Sequence, residues 1–214
     1  MEPFASYSYF DDFDDEIDAV EWSEMEWRKY LAKIDVDVSL FLKLFVETRN
    51  IINHMEIIAS HMGWIKQSGS FLGSLSQIGE KDPYTIHRQP VAIVTRALYC
   101  FLAKNWELFM NEHKSPDPQL CWVYARILNT GERDAIFALA CMDAGDDNLA
   151  LCHFKSALKS INYTMDIIQK LKAIRMKCSI LLDDALIACF DLREVWLKVM
   201  DSCRDGFDDD DEEE

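Results

Sequence analysis

Apolar residues recur along residues 27–62 in steps of four and three: Trp27, Leu31, Ile34, Val38, Phe41, Phe45, Thr48, Ile52, Met55, Ala59 and Met62. A period of ~3.5 residues places them all on one side of an α-helix, the side that packs against neighbours at a shallow angle. A lone helix cannot bury so long a stripe, so the chain must supply others to cover it, as in a bundle. The spacing predicts one helix over 24–62, or two joined near Asp35–Asp37. Ser23 and Glu26 have the spacing of a capping box, in which hydroxyl and carboxylate each answer a free N–H at the helix start. Gly63 predicts the end.

The same alternation returns near the C-terminus in Leu182, Ala185, Cys189, Leu192, Trp196, Val199 and Cys203, predicting a helix over about 178–204. Between the two stripes, Pro90 suits a first helical residue. It is followed by Val91, Val94, Leu98, Phe101, Leu102, Leu108 and Phe109, ending before the SPDP at 115–118. Shorter helices are predicted over 119–129 and 132–144, the latter bracketed by Gly131 and Gly145. A longer one over 147–173 carries Leu151, Phe154, Leu158, Ile161, Met165 and Ile168. Residues 63–83 hold four of the seven glycines among several serines and read as a loop inside the domain. No stretch alternates apolar and polar residues between hairpin turns. The chain reads as all-α, a helical bundle of five to seven helices over 22–204.

Charge divides the chain differently. The formal net charge is −16, but residues 1–26 hold 10 acids and residues 205–214 hold 8, neither with a single Lys or Arg. Of the 38 acids, 20 remain in 27–204 against all 22 bases, so the bundle is nearly neutral. The ends are expected to be disordered: an acidic, aromatic arm over 1–21 and an acidic tail over 205–214, kept extended by like-charge repulsion. Tyr7, Tyr9, Phe10 and Phe13 give the arm rings that a groove can bury, and these four are the candidate partner-binding residues. Acidic segments steer toward a basic protein partner and away from nucleic acid.

The N-terminal residues lack the basic and apolar regions of a secretory signal, and no apolar run reaches the ~18 residues of a membrane span. The seven cysteines, odd in number and without a CxxC, fit reduced and mostly buried thiols of a cytoplasmic protein. Phosphate-loop, dinucleotide and nucleophile-elbow motifs are absent, as are HExxH, ExxH pairs and EF-hand loops. Glu47, His54 and His61 share a face of a continuous helix, but seven residues rise ~10.5 Å, too far for one ion to bridge. No cofactor and no metal are expected.

Two local patterns are similar to known families. Residues 131–162, GERDAIFALACMDAGDDNLALCHFKSALKSIN, form two helical segments meeting at Gly145-Asp146, with Ala138, Ala150, Phe154 and Ala157 at contact spacings. This hairpin resembles one tetratricopeptide unit, which implies a protein-binding surface. It departs from that pattern at Asp134, Cys141 and Asn162, and no second repeat lies 34 residues away in either direction. Residues 49–54, RNIINH, resemble the signature of the HEPN ribonucleases, all-α proteins in which Arg and His act on the RNA phosphate. The resemblance implies Arg49 as phosphate clamp and His54 as acid/base. On a continuous helix, however, five residues turn ~500° and leave the two side chains ~140° apart. With no Gly or Pro between them, both are expected on the solvated face of a long helix.

The leading expectation is therefore a non-enzymatic helical module that binds a protein through the hairpin surface, the acidic arms, or both. One alternative is a metal-independent ribonuclease using Arg49 and His54, and another is an acidic inhibitor that mimics nucleic acid. The apolar stripes can be satisfied within one chain or across a homodimer.

Overall fold

A computed structural model describes residues 22–65, 86–112, 117–174 and 179–210. Among the described residues there are six α-helices and no strand. They are α1 (Glu24–Thr48), α2 (His54–His61), α3 (Pro90–Glu112), α4 (Pro118–Asp143), α5 (Asp147–Ile174) and α6 (Ser179–Asp210). A 3-10 turn, Ile86–Arg88, precedes α3. The chain is an all-α bundle. The arm over 1–21, with Tyr7, Tyr9, Phe10 and Phe13, lies outside the described residues, as does most of the Gly/Ser-rich loop.

Local chemistry sets the helix ends. The Glu26 N–H donates to Ser23 Oγ at 3.4 Å and the Ser23 N–H to the Glu26 carboxylate at 2.8 Å, completing the capping box. Ser23→Ala is expected to lower stability by about 1 kcal/mol. A denaturation midpoint shifted at unchanged m-value will read that loss. At the far end of α4, Gly145 adopts φ +77°. Its N–H donates to the Met142 carbonyl and the Asp146 N–H to the Cys141 carbonyl, the pairing of a Schellman cap. Asp146 then accepts the Leu149 N–H on its side chain at 3.0 Å, so one residue closes α4 and opens α5. Gly63 closes α2 by the same pairing, its own N–H reaching Ser60 and that of Trp64 reaching Ala59.

Ring and polar contacts fix the topology. Tyr30 meets His87, Asp35 pairs with Arg96 and Phe45 meets Phe101, so α1 runs parallel to α3. Trp106 stacks on Tyr124 at 3.9 Å and Tyr99 faces Gly131, so α4 returns antiparallel to α3. The α4–α5 hairpin is zipped by Asp134 with Ser156 and by Phe137 with His153. α6 descends against α5 and α3. Its fully buried Trp196 touches Phe154 and Tyr99 and donates its ring N–H to Thr95 at 3.1 Å. All seven residues of the C-terminal stripe are buried, Leu182 through Cys203.

Four expectations are corrected. The first stripe does not run through one helix, nor does it break at Asp35–Asp37. α1 ends at Thr48, and a turn over 49–53 carries the chain into α2. Asn53 sits in the left-handed region at φ 61°, which Asn tolerates better than other side chains because it can bond locally. Ile51 and Ile52 precede it, β-branched residues of low helix propensity. As a result Ile52, counted in the stripe, is 87% exposed. Near the start of α1, Tyr30 takes the buried place expected of Leu31.

Gly131 does not separate two helices. α4 runs unbroken through it, because Gly131 is buried where three helices meet and its missing side chain is what lets them approach. The last helix continues past Cys203 to Asp210, into the stretch expected as tail. Extending a helix from packed turns costs far less than nucleating one. Finally, six cysteines are described and none is bridged, but only Cys189 and Cys203 are buried. Cys100 and Cys152 are exposed.

Candidate functional site

The turn between α1 and α2 brings together the two residues of the RNIINH pattern. Because the helix breaks there, the ~140° divergence of a continuous helix does not apply, and neither side chain is solvated. Arg49 and His54 keep 17% and 15% of their side-chain exposure and both turn toward α6. Arg49 Nη2 donates to Asp184 Oδ2 at 2.8 Å, and His54 Nε2 lies 2.8 Å from Asp191 Oδ2. Asp184 and Asp191 stand seven residues apart, two turns of α6, so each carboxylate holds one partner. Glu47 and His54 now belong to different helices, so Glu47 is separated from the α2 face on which His54 and His61 stand seven residues apart. Among the described residues no group of three or more His, Cys, Asp or Glu converges as metal ligands.

The electrostatics describe a latch. The hydrogen bond to Asp184 raises the Arg49 pKa, so its charge is fixed and already neutralised. The hydrogen bond to Asp191 raises the His54 pKa above the ordinary histidine value, against the opposing effect of burial, with the Ile51 carbonyl adding to the rise. A group whose folded pKa is raised stabilises the fold fully below its unfolded pKa of ~6.5 and loses that contribution as pH climbs through the folded value. Unfolding free energy is therefore expected to fall with rising pH across that window. Asp191→Asn should flatten this part of the profile, and an unchanged slope in the variant would remove His54 as its source.

Chemically, an Arg held by a carboxylate is a poor phosphate clamp, because an incoming phosphate must first displace Asp184. Tied to Asp191, the His54 ring is held in place rather than left free to exchange protons with a substrate. What the pair does directly is pin the α1–α2 turn onto α6.

A second feature lies on the hairpin. Between Gln119 and Ala140, the exposed side of α4 carries Trp122, Arg126, Arg133, Ile136 and Phe137, and no acid. Trp122 is 61% exposed, with the Arg126 guanidinium 5.1 Å from its ring centre, within cation–π range. Trp122, Arg126, Asn129 and Arg133 recur at spacings of four and three, so they form one stripe, and they line an open groove of about 460 Å³. Arg133 donates to Asp134, whose other oxygen accepts the Ser156 hydroxyl at 2.6 Å. Arg126 pairs with no carboxylate among the described residues, so it carries the open positive charge of the face. On a chain of net charge −16, a helix face that sets the unpaired Arg126 among three large exposed apolar side chains is set apart from the rest.

Sequence reasoning missed Asp184 and Asp191 as partners of the RNIINH residues. It named the hairpin over 131–162, which holds the second half of α4, but passed over the first half, although Trp122 and Arg126 at i, i+4 on the polar side of a helix were visible. No family model, curated protein or solved structure matches the chain. No helix among the described residues is long and apolar enough to cross a membrane.

Proposed function

We propose that this chain is a cytoplasmic, non-enzymatic helical module that binds a protein partner through the outer face of its α4–α5 hairpin. The observation that carries this is the exposed Trp122–Arg126 pair beside its groove, continued along α4 by Ile136 and Phe137. Large exposed rings with an adjacent guanidinium are the side chains that anchor protein interfaces. The resemblance of 131–162 to a tetratricopeptide hairpin points the same way. The charge of the face selects a partner segment that is acidic or neutral. A basic partner, as the acidic arms would attract, belongs to the arms and not to this helix.

The test is a pull-down from native extract with the full chain beside Trp122→Ala and Arg126→Glu. A specific partner held by the parent and lost by both variants supports the reading. Partners held equally by all three chains overturn it. Cleavage of RNA by the purified protein that disappears in His54→Ala would replace it with the ribonuclease reading.

A further inference from the structure

The α4 face and the N-terminal arm are chemical complements within one chain. Residues 1–21 contain eight acids, no Lys or Arg, and the rings of Phe4, Tyr7, Tyr9, Phe10 and Phe13. Between Gln119 and Ala140 the face presents an exposed indole, Arg126 with no carboxylate beside it and Arg133 paired with Asp134, and its exposed acid, Asp143, stands at the C-terminal end of the helix. Geometry makes the meeting local. Trp22, where the arm joins the domain, packs against Trp27 and Tyr30, and Tyr30 in turn touches His87 and Arg88 of the 3-10 turn. That turn contacts α4. Since Tyr99 faces Gly131 and Trp106 faces Tyr124, the start of α3 lies beside the C-terminal end of α4. From Ala140 back to Arg126 is fourteen residues, a rise of about 21 Å. Nine residues separate Phe13 from Trp22 and span up to about 30 Å when extended.

We infer that the N-terminal arm docks in its own chain along the exposed face of α4, its carboxylates at Arg126 and Arg133 and its rings at Trp122 and Phe137. This rests on the reading of that face as a binding surface and names its first occupant. Tethering gives the arm an effective concentration in the millimolar range, so modest contacts suffice to hold it. An outside partner must compete with it, and the arm thereby sets the threshold for partner binding.

Photo-crosslinking of the full chain tests the contact. With p-benzoylphenylalanine in place of Phe10, irradiation of dilute protein and peptide mapping should find a crosslink within one chain, into the Trp122–Phe137 stretch. Its yield should fall about fivefold or more in Arg126→Glu/Arg133→Glu, and likewise on raising salt from about 0.05 to 0.5 M. Circular dichroism of the charge-reversed chain should match the parent. Crosslinks into another helix, crosslinks between two copies, no crosslink, or a yield indifferent to charge reversal would each overturn the inference. If it falls while the pull-down still depends on Trp122 and Arg126, only the occupant is wrong. If the pull-down fails and the crosslink forms as expected, the face binds the arm alone.

Discussion

Asp184→Asn is expected to lower the stability of this protein by about 3 kcal/mol, although it exchanges one oxygen for an amide of the same shape. Asp184 and its partner are largely buried, at 10% and 17% side-chain exposure. Removing the negative charge strands the Arg49 guanidinium where water cannot resolvate it fully. The Arg49 Nε is already buried without a hydrogen-bond partner, so once Asp184 is neutral only the bond from Nη1 to the Val46 carbonyl remains. For a chain of this length the loss corresponds to a melting point lower by roughly 6–12 °C. Replacing both partners, Arg49→Met with Asp184→Leu, should recover most of it, because a matched apolar pair avoids the desolvation that the ion pair only offsets. The same variants separate structure from chemistry. If Arg49 served an RNA phosphate, freeing it in Asp184→Asn would raise RNA binding or cleavage as stability fell. If it is a latch, stability falls and no RNA activity appears. A stability change below about 0.5 kcal/mol would show that Arg49 and Asp184 are effectively solvated and remove the latch from the account.

How much of this was legible in the sequence depended on whether a residue's role was local. The capping box at Ser23–Glu26, the closing Gly63 and Gly145, and Pro90 at the start of α3 all act on neighbours within a few positions, and each was readable. The stripe of α6 was also readable, because a helix covered on its core side by α3 and α5 must bury every residue at that spacing. The break at residues 49–53 was not. It has no Gly or Pro, and what favours it is tertiary: the broken chain seats Arg49 and His54 on carboxylates 135 and 137 residues away. Asp184 and Asp191 look, in sequence, like two more acids beside an apolar stripe. Gly131 misled for the opposite reason. A glycine between two apolar segments predicts a stop when only local propensity is weighed, yet its function here is read from the other two helices. The four arm residues were legible as a composition, acids with rings, which says what they can meet and nothing of where.

Gly131→Ala makes that packing role measurable. By helix propensity alone, alanine should stabilise an interior helical position by about 1 kcal/mol. Here a Cβ would stand 2.5 Å from the Tyr99 hydroxyl oxygen and 3.0 Å from Ser160 Cβ. Neither neighbour gives way cheaply. Tyr99 is 2% exposed and stacked against the fully buried Trp196, and Ser160 Cβ is fixed to the α5 backbone. The helices must separate, and overpacking of this kind costs about 1–3 kcal/mol, here at or above the upper end because both contacts are below ordinary van der Waals distance. Against the propensity gain, a net loss of about 2 kcal/mol is expected, a melting point lower by roughly 4–8 °C. The Tyr99 hydroxyl offers a control. It has no hydrogen-bond partner among the described residues, and burial pushes its pKa well above the ordinary tyrosine value. Tyr99→Phe alone should therefore be neutral or slightly stabilising. In the double variant the nearest remaining ring carbon is 3.6 Å from the new Cβ, an ordinary contact, while the approach of Ser160 persists. Tyr99→Phe should accordingly restore about half of what Gly131→Ala loses, a coupling of about 1 kcal/mol between residues on different helices. Strict additivity would mean that the hydroxyl is not what meets the methyl group. A stabilising Gly131→Ala would mean that α4 has room to spare against α3 and α5, and that the glycine is there for some reason other than close packing.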